Sequence, residues 1–246
     1  GVHAYGQVVN FFTDGTIPVN RILRAVNSLL PDDIVVKSAA EADAGFSARH
    51  SAKSKTYLYR IQQGETPDAF TQRYAWYERR PLDLPAMQAA LDCIKGTHDF
   101  SAFRASGGAP MSPIRTMYAA TAAAGPGELL EFRIHGSGFL YHMVRNIIGT
   151  VANVGLGRLS VDDFRRIMES LDRRQASATA PACGLYLYHV DYAMLHPYKN
   201  GLHLCLWLLV LLAPLFRFLI TFLYLNLYRN DLTANSIYSL QGKPPF

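Results

Sequence analysis

The amino-acid sequence predicts an α+β fold built on antiparallel sheet, and three observations carry that prediction. Strand-like and helix-like apolar patterns interleave over the first 192 residues, a Gly125-Pro126-Gly127 turn joins two strand-like runs as a hairpin, and the connections between patterns are short. A doubly wound parallel sheet would need a long crossover between successive strands.

Each element follows from local chemistry. Gln7-Val8-Val9-Asn10-Phe11-Phe12 reads as a strand, closed by a turn at Thr13-Asp14-Gly15. Pro18 suits a first helical turn, after which Ile22, Leu23, Val26, Leu29 and Leu30 recur at helical spacing until Pro31. Ile34 to Lys37 is the next strand. Thr56 to Ile61 is an aromatic strand that sets Tyr57 and Tyr59 on one face. A polar loop with Gly64 and Pro67 leads to a helix from about Leu84 to Ile94, capped by Asp83 and ended by Gly96. Ile114 to Ala122 and Leu129 to Ile134 are the strands of the hairpin. A third helix is predicted from about Phe139 to Val154, and Ser160-Val161-Asp162-Asp163 opens a fourth with a capping-box start. Leu185 to Tyr192 closes the region as a strand.

Composition bounds the function. The chain has 246 residues, half of them apolar, which is ample for a packed core. Its net charge of +5 is unevenly placed: Lys199, Arg217, Arg229 and Lys243 against Asp231 put +3 in the last 48 residues, leaving +2 for the first 198. An anionic partner must therefore be argued from the arrangement of charges, not their sum. Cys93, Cys183 and Cys205 are odd in number and far apart, which excludes a disulfide framework and a CxxC metal site and fits buried thiols in a reducing compartment. The chain opens on a strand-like run without an initiator Met, so Gly1 reads as a fragment edge, and no signal peptide is recognisable in what is present.

The composition changes sharply after His196-Pro197. Leu202 to Tyr228 is almost continuously apolar, interrupted by Pro214 and Arg217, and is long enough to span a bilayer core at about 20 residues per span. Its physical reading is a membrane helix over about 202–224; a non-native tail is the competing one.

Three groups of residues could carry chemistry. At about 100° per residue, Phe139, Leu140, Met143, Val144, Ile147, Ile148 and Val151 share one half of the third helix, while Tyr141, His142, Arg145 and Asn146 fall on the other and point away from the core. That ridge is either an exposed polar face or the lining of an anion cleft, with Arg145 as a planar fork for a carboxylate or phosphate. Arg49 to Lys55 feeds cations straight into the Tyr57 and Tyr59 strand, a mixture that suits RNA and equally a solvated strand edge. His98 to Arg104 sets Phe100 and Phe103 beside Arg104, most simply core aromatics with a surface cation. The usual P-loop, GxGxxG, GxSxG and HExxH motifs are missing, and neither cofactor nor metal is implied.

In order along the chain, these segments resemble the tRNA pseudouridine synthase A family. Gly1-Val2-His3-Ala4-Tyr5-Gly6-Gln7-Val8 is similar to the end of its GRTDAGVHAxGQV motif, Asn27 to Pro31 to its NxxLP, Phe46-Ser47-Ala48-Arg49 to its FxAR, and Lys55-Thr56-Tyr57-Leu58-Tyr59 to its KxYxY. Asp99 to Arg104 matches DFxxFR, Phe139 to Asn146 matches FLxxMVRN, and Ala178 to Pro181 with Gly184 to Leu187 matches the closing APxxGLxL.

The resemblance implies a pseudouridine synthase fold of two ferredoxin-like halves with antiparallel sheet, the first half incomplete here. Residues 1–70 would be the remainder of the N-terminal half, 71–198 the C-terminal half and 199–246 the apolar tail. It implies a homodimer in the cytoplasm acting on tRNA at the anticodon arm, with membrane association only through 202–228. Tyr57 would stack on a flipped uracil, Leu185 would wall the base pocket, and Arg145 would hold the catalytic aspartate ionised. Arg49, Lys55 and Arg104 would bind phosphates, with His3, Phe103, His142 and Asn146 also on the substrate. In the family motif that aspartate lies two residues upstream of Gly1, so the chain as given is expected to be inactive. An RNA-binding pseudoenzyme and a membrane-anchored interaction protein are the alternatives.

Overall fold

A computed structural model describes residues 1–193, 203–210 and 237–238. In chain order the elements are β1 (His3–Ala4), β2 (Gln7–Phe11), α1 (Val19–Leu29), β3 (Ile34–Ala42), β4 (Ala52–Gln62), β5 (Trp76–Tyr77), α2 (Leu84–Asp92) and β6 (Gly96–Asp99). They continue as β7 (Ile114–Ala124), β8 (Leu129–Gly136), α3 (Met143–Gly155), α4 (Val161–Glu169), β9 (Leu185–Tyr192), β10 (His203–Val210) and β11 (Ile237–Tyr238). Strands and helices interleave as an α+β chain. It folds into two compact units, one of Gly1–Lys53 with the described residues from Leu187 onward, the other of Ser54–Tyr186.

In the first unit, Val8, Ile34, Val36, Ala42, Phe46 and Val190 form a core against which α1 lays Val19, Ile22, Leu23 and Val26. Asn27 fixes that helix to the sheet, donating to the Val36 carbonyl at 2.9 Å and accepting from the Val36 N–H at 2.8 Å. One side chain thus satisfies both backbone groups of a strand residue. β10 pairs antiparallel with both β2 and β3. These eight residues lie within the stretch expected to form a membrane helix over 202–224. The other residues of that stretch lie outside those described, and among the described residues no helix is long and apolar enough to cross a membrane.

In the second unit the sheet runs β4-β8-β7-β6, all antiparallel, with β5 parallel to the end of β4. Tyr57 pairs with Ile134 and Tyr59 with Phe132, so the aromatic face of β4 shares its side of the sheet with the apolar face of β8. Packed with this unit are α2, α3 and α4, burying Met87, Leu91, Met143, Ile147, Ile148, Val151, Phe164 and Ile167. Asp83 caps α2 by accepting from the Ala86 N–H at 3.0 Å. Ser160 and Asp163 close a reciprocal capping box on α4.

The third helix departs from its expected start. It begins at Met143, because His142 takes the left-handed conformation at φ 56° and breaks the helical path through Phe139–Tyr141. It also departs from its expected amphipathicity: Asn146 is fully buried, and Val144 and Ile147 are buried with it.

Candidate active site

Each unit carries part of the expected site. In the first, His3 is buried in β1, and Arg49 is exposed on the loop that follows Phe46. Asn10 holds that loop, donating to the Phe46 carbonyl at 3.3 Å and accepting from the Ala48 N–H at 2.8 Å, and the Tyr192 hydroxyl donates to the Ala48 carbonyl at 2.7 Å. Arg49 is therefore an exposed cation next to a pinned backbone residue, Ala48.

In the second unit the sequence motifs converge around the start of α3. Tyr57 is half-buried with its ring edge-on to Phe139, centroids 4.9 Å apart, the geometry two aromatic quadrupoles favour. Burial pushes the Tyr57 hydroxyl above its ordinary range. Two residues along the same face, the Tyr59 hydroxyl donates to the Pro181 carbonyl at 2.7 Å. Burial raises its pKa as well, reinforced by nearby Cys183 and opposed by the charge of Arg145.

Arg145 itself is held at one end. Its Nε donates to the Ala180 carbonyl at 2.7 Å, and Nη1 lies 3.5 Å from His142 Nε2. Among the described residues, no hydrogen bond is made by Nη2. His142 stacks on Tyr141 at 4.0 Å between centroids, and burial, with a smaller contribution from Arg145, lowers its pKa. Leu185 follows the Ala182–Gly184 turn and is buried at the start of β9.

Two residues lie deeper than the sequence placed them. Phe103 is fully buried and stacked on Phe164 at 5.5 Å, so its ring belongs to the core. Asn146 was expected on a polar ridge facing outward, but the segment after α4 covers that flank and donates to its amide oxygen, while its amide nitrogen donates to the Phe103 carbonyl. Arg104 is half-buried and donates to the Met111 and Ala109 carbonyls at 3.4 and 3.2 Å, bracing the loop between them. Lys55 sits half-buried on β4, two residues before Tyr57. Residues the sequence reading passed over are Phe139 as the partner of Tyr57, and Arg173 and Thr179 on the covering segment. Only the Ala178 to Pro181 motif hinted at the last of these. Among the described residues, no group of three His, Cys, Asp or Glu side chains could hold a metal.

Tyr57, Tyr59, the anchored Arg145 and the buried Leu185 all belong to the one α+β unit of Ser54–Tyr186. A family profile described as tRNA pseudouridine synthase matches residues 90–193. The tRNA pseudouridine synthase A of Lacticaseibacillus casei is 45% identical over 194 residues, 78% of this chain and 78% of that protein. The proteins of the same name from Acetivibrio thermocellus and Geobacillus kaustophilus are 44% identical over 192 and 204 residues, covering 78% and 82% of this chain and 78% and 79% of theirs. This chain belongs to the tRNA pseudouridine synthase A family. A crystal structure of a Cbf5-Nop10-Gar1 complex is a remote likeness, with a TM-score of 0.28 and 12% identity over 60% of this chain and 45% of that one.

Proposed function

We propose that the chain is the base-holding and arginine-bearing part of a synthase that isomerises uridine to pseudouridine in tRNA, at the anticodon stem-loop. The reaction breaks the N1–C1′ bond, turns the uracil and joins C5 to C1′; the proton leaves C5, N1 gains one, and composition is unchanged. A carboxylate must act at the sugar or the base. The family motif places it two residues upstream of Gly1, outside these 246 residues.

The observation that carries this reading is the anchoring of Arg145. Its Nε is committed to the Ala180 carbonyl, next to the Pro181 carbonyl that receives the Tyr59 hydroxyl of β4, which suits a guanidinium that keeps a neighbouring carboxylate ionised. Tyr57, fixed against Phe139, would stack on the extruded uracil, with Leu185 as a further wall of the pocket. Arg49, Lys55 and Arg104 would meet phosphates, with His3 and His142 adding donors. The family likeness extends the proposal to a homodimer in the cytoplasm.

The test is turnover on a tRNA transcript by the full-length synthase, including the upstream aspartate. Tyr57→Ala is expected to abolish pseudouridine formation; full activity in that variant overturns the site. The 246-residue chain alone is expected to form none.

A further inference from the structure

Asn146 is wholly buried, yet every polar atom of its amide is used. Nδ2 donates to the Phe103 carbonyl at 2.8 Å, while Oδ1 accepts from Thr179 Oγ1 at 2.6 Å and from Arg173 Nη2 at 3.1 Å. A guanidinium only donates and a backbone carbonyl only accepts, so the amide has one orientation that fits. Arg173 Nη2 also reaches Thr179 Oγ1 at 3.3 Å, and its Nη1 donates to the Ala176 carbonyl at 3.1 Å.

The stitching continues along the helix. Thr150 Oγ1 donates to the Asn146 carbonyl at 2.9 Å and accepts from the Ser177 N–H at 3.2 Å. Between Asn146 and Thr150, Gly149 leaves room for the Ala178 carbonyl oxygen, which a β-carbon there would strike. Residues 176–180 are thus laid against one flank of α3, and the seam ends at Arg145. The Ala180 N–H donates to the Arg145 carbonyl at 3.1 Å, and the Ala180 carbonyl receives Arg145 Nε at 2.7 Å.

We infer that Asn146, Arg173 and Thr179 are positioning residues that aim the Arg145 guanidinium by fixing the carbonyl on which it is anchored. The inference rests on the proposed pairing of Arg145 with the catalytic carboxylate. A bidentate pair needs both N–H groups in the plane of the carboxylate, and an acceptor free to wander by about 1 Å would let the fork turn out of that plane. Asn146 is reassigned by this geometry from a substrate donor to the centre of the brace behind the arginine.

The test reads the arginine directly, by NMR of the Arg145 Nε–H in the full 246-residue chain labelled with 15N-arginine, assigned by loss of the signal in Arg145→Lys. The parent signal is expected to exchange slowly with solvent. Thr179→Val and Asn146→Ala are expected to speed that exchange by about tenfold or more, Thr179→Ser to restore it, and Ile167→Ala, a core truncation on α4, to leave it unchanged. Unaltered exchange in Thr179→Val overturns the inference, as does an equal change in Ile167→Ala, which would make it general loosening. Should Asn146→Ala not fold, Arg173→Ala with Thr179→Val decides. The Arg145 reading fails separately: it falls if Arg145→Lys in the full-length synthase keeps its turnover, whatever the NMR shows.

Discussion

The Tyr59 hydroxyl donates to the carbonyl of Pro181 at 2.7 Å, across 122 residues of sequence. It joins the strand carrying the candidate uracil platform to the segment that anchors Arg145, so both halves of the site share one buried link. Replacing Tyr59 by Phe keeps the ring and removes only that bond, with an expected loss of about 1 kcal/mol in urea unfolding at pH 7.

The same tyrosine gives a pH dependence. Burial lifts its pKa above the ordinary 10.0, so the fold favours the neutral hydroxyl. Its contribution is complete below pH 10, the value in the unfolded chain, and is lost as pH rises above it. Tyr59→Phe is expected to lose less stability between pH 9 and pH 11 than the parent, and an identical decline in both proteins would contradict the assignment.

Gly149→Ala tests the close approach of α3 to the covering segment. Alanine is the better helix former by about 1 kcal/mol, yet the new methyl group meets the Ala178 carbonyl oxygen. The clash is expected to win by about 1 to 3 kcal/mol, lowering the thermal midpoint.

Phe103 and Arg49 should separate stability from binding. Phe103→Ala empties a fully buried site against Phe164 and is expected to cost about 3 to 5 kcal/mol in chemical denaturation.

Arg49→Ala removes an exposed cation and is expected to leave the unfolding midpoint within about 0.5 kcal/mol of the parent. If Arg49 meets a phosphate, tRNA binding weakens and the slope of log affinity against log salt falls by about 1. An unchanged slope in filter binding would remove Arg49 from the interface.

The elements most legible in the sequence were those decided locally. Asp83 and Ser160 announce the starts of α2 and α4 through hydrogen bonds to residues three positions on, and β9 was read to the residue from a run that opens on the aliphatic and aromatic Leu185-Tyr186-Leu187-Tyr188. Distant contacts defeated the same reasoning. The helical wheel put Asn146 outside because periodicity assumes one covered face, whereas α3 is covered on the opposite flank by residues 176–180. The apolar pattern also ran the helix back through Phe139, since no rule of spacing shows that His142 will turn left-handed. The four-residue strand β6 escaped notice because its pairing to β7, not its own polar sequence, makes it a strand. The candidate residues, Tyr57, Arg145 and Leu185 among them, were legible as an ordered set of motifs, but the sequence did not show that Phe103 and Asn146 are wholly buried.

Anchoring Arg145 through Nε has a consequence for the encounter with a carboxylate or phosphate. A solvent-exposed arginine carries about 2 kcal/mol of rotamer entropy, part of which is surrendered each time it closes on an anion. Here the Ala180 carbonyl already holds the guanidinium through Nε, so less disorder would remain to be lost on closing upon an anion.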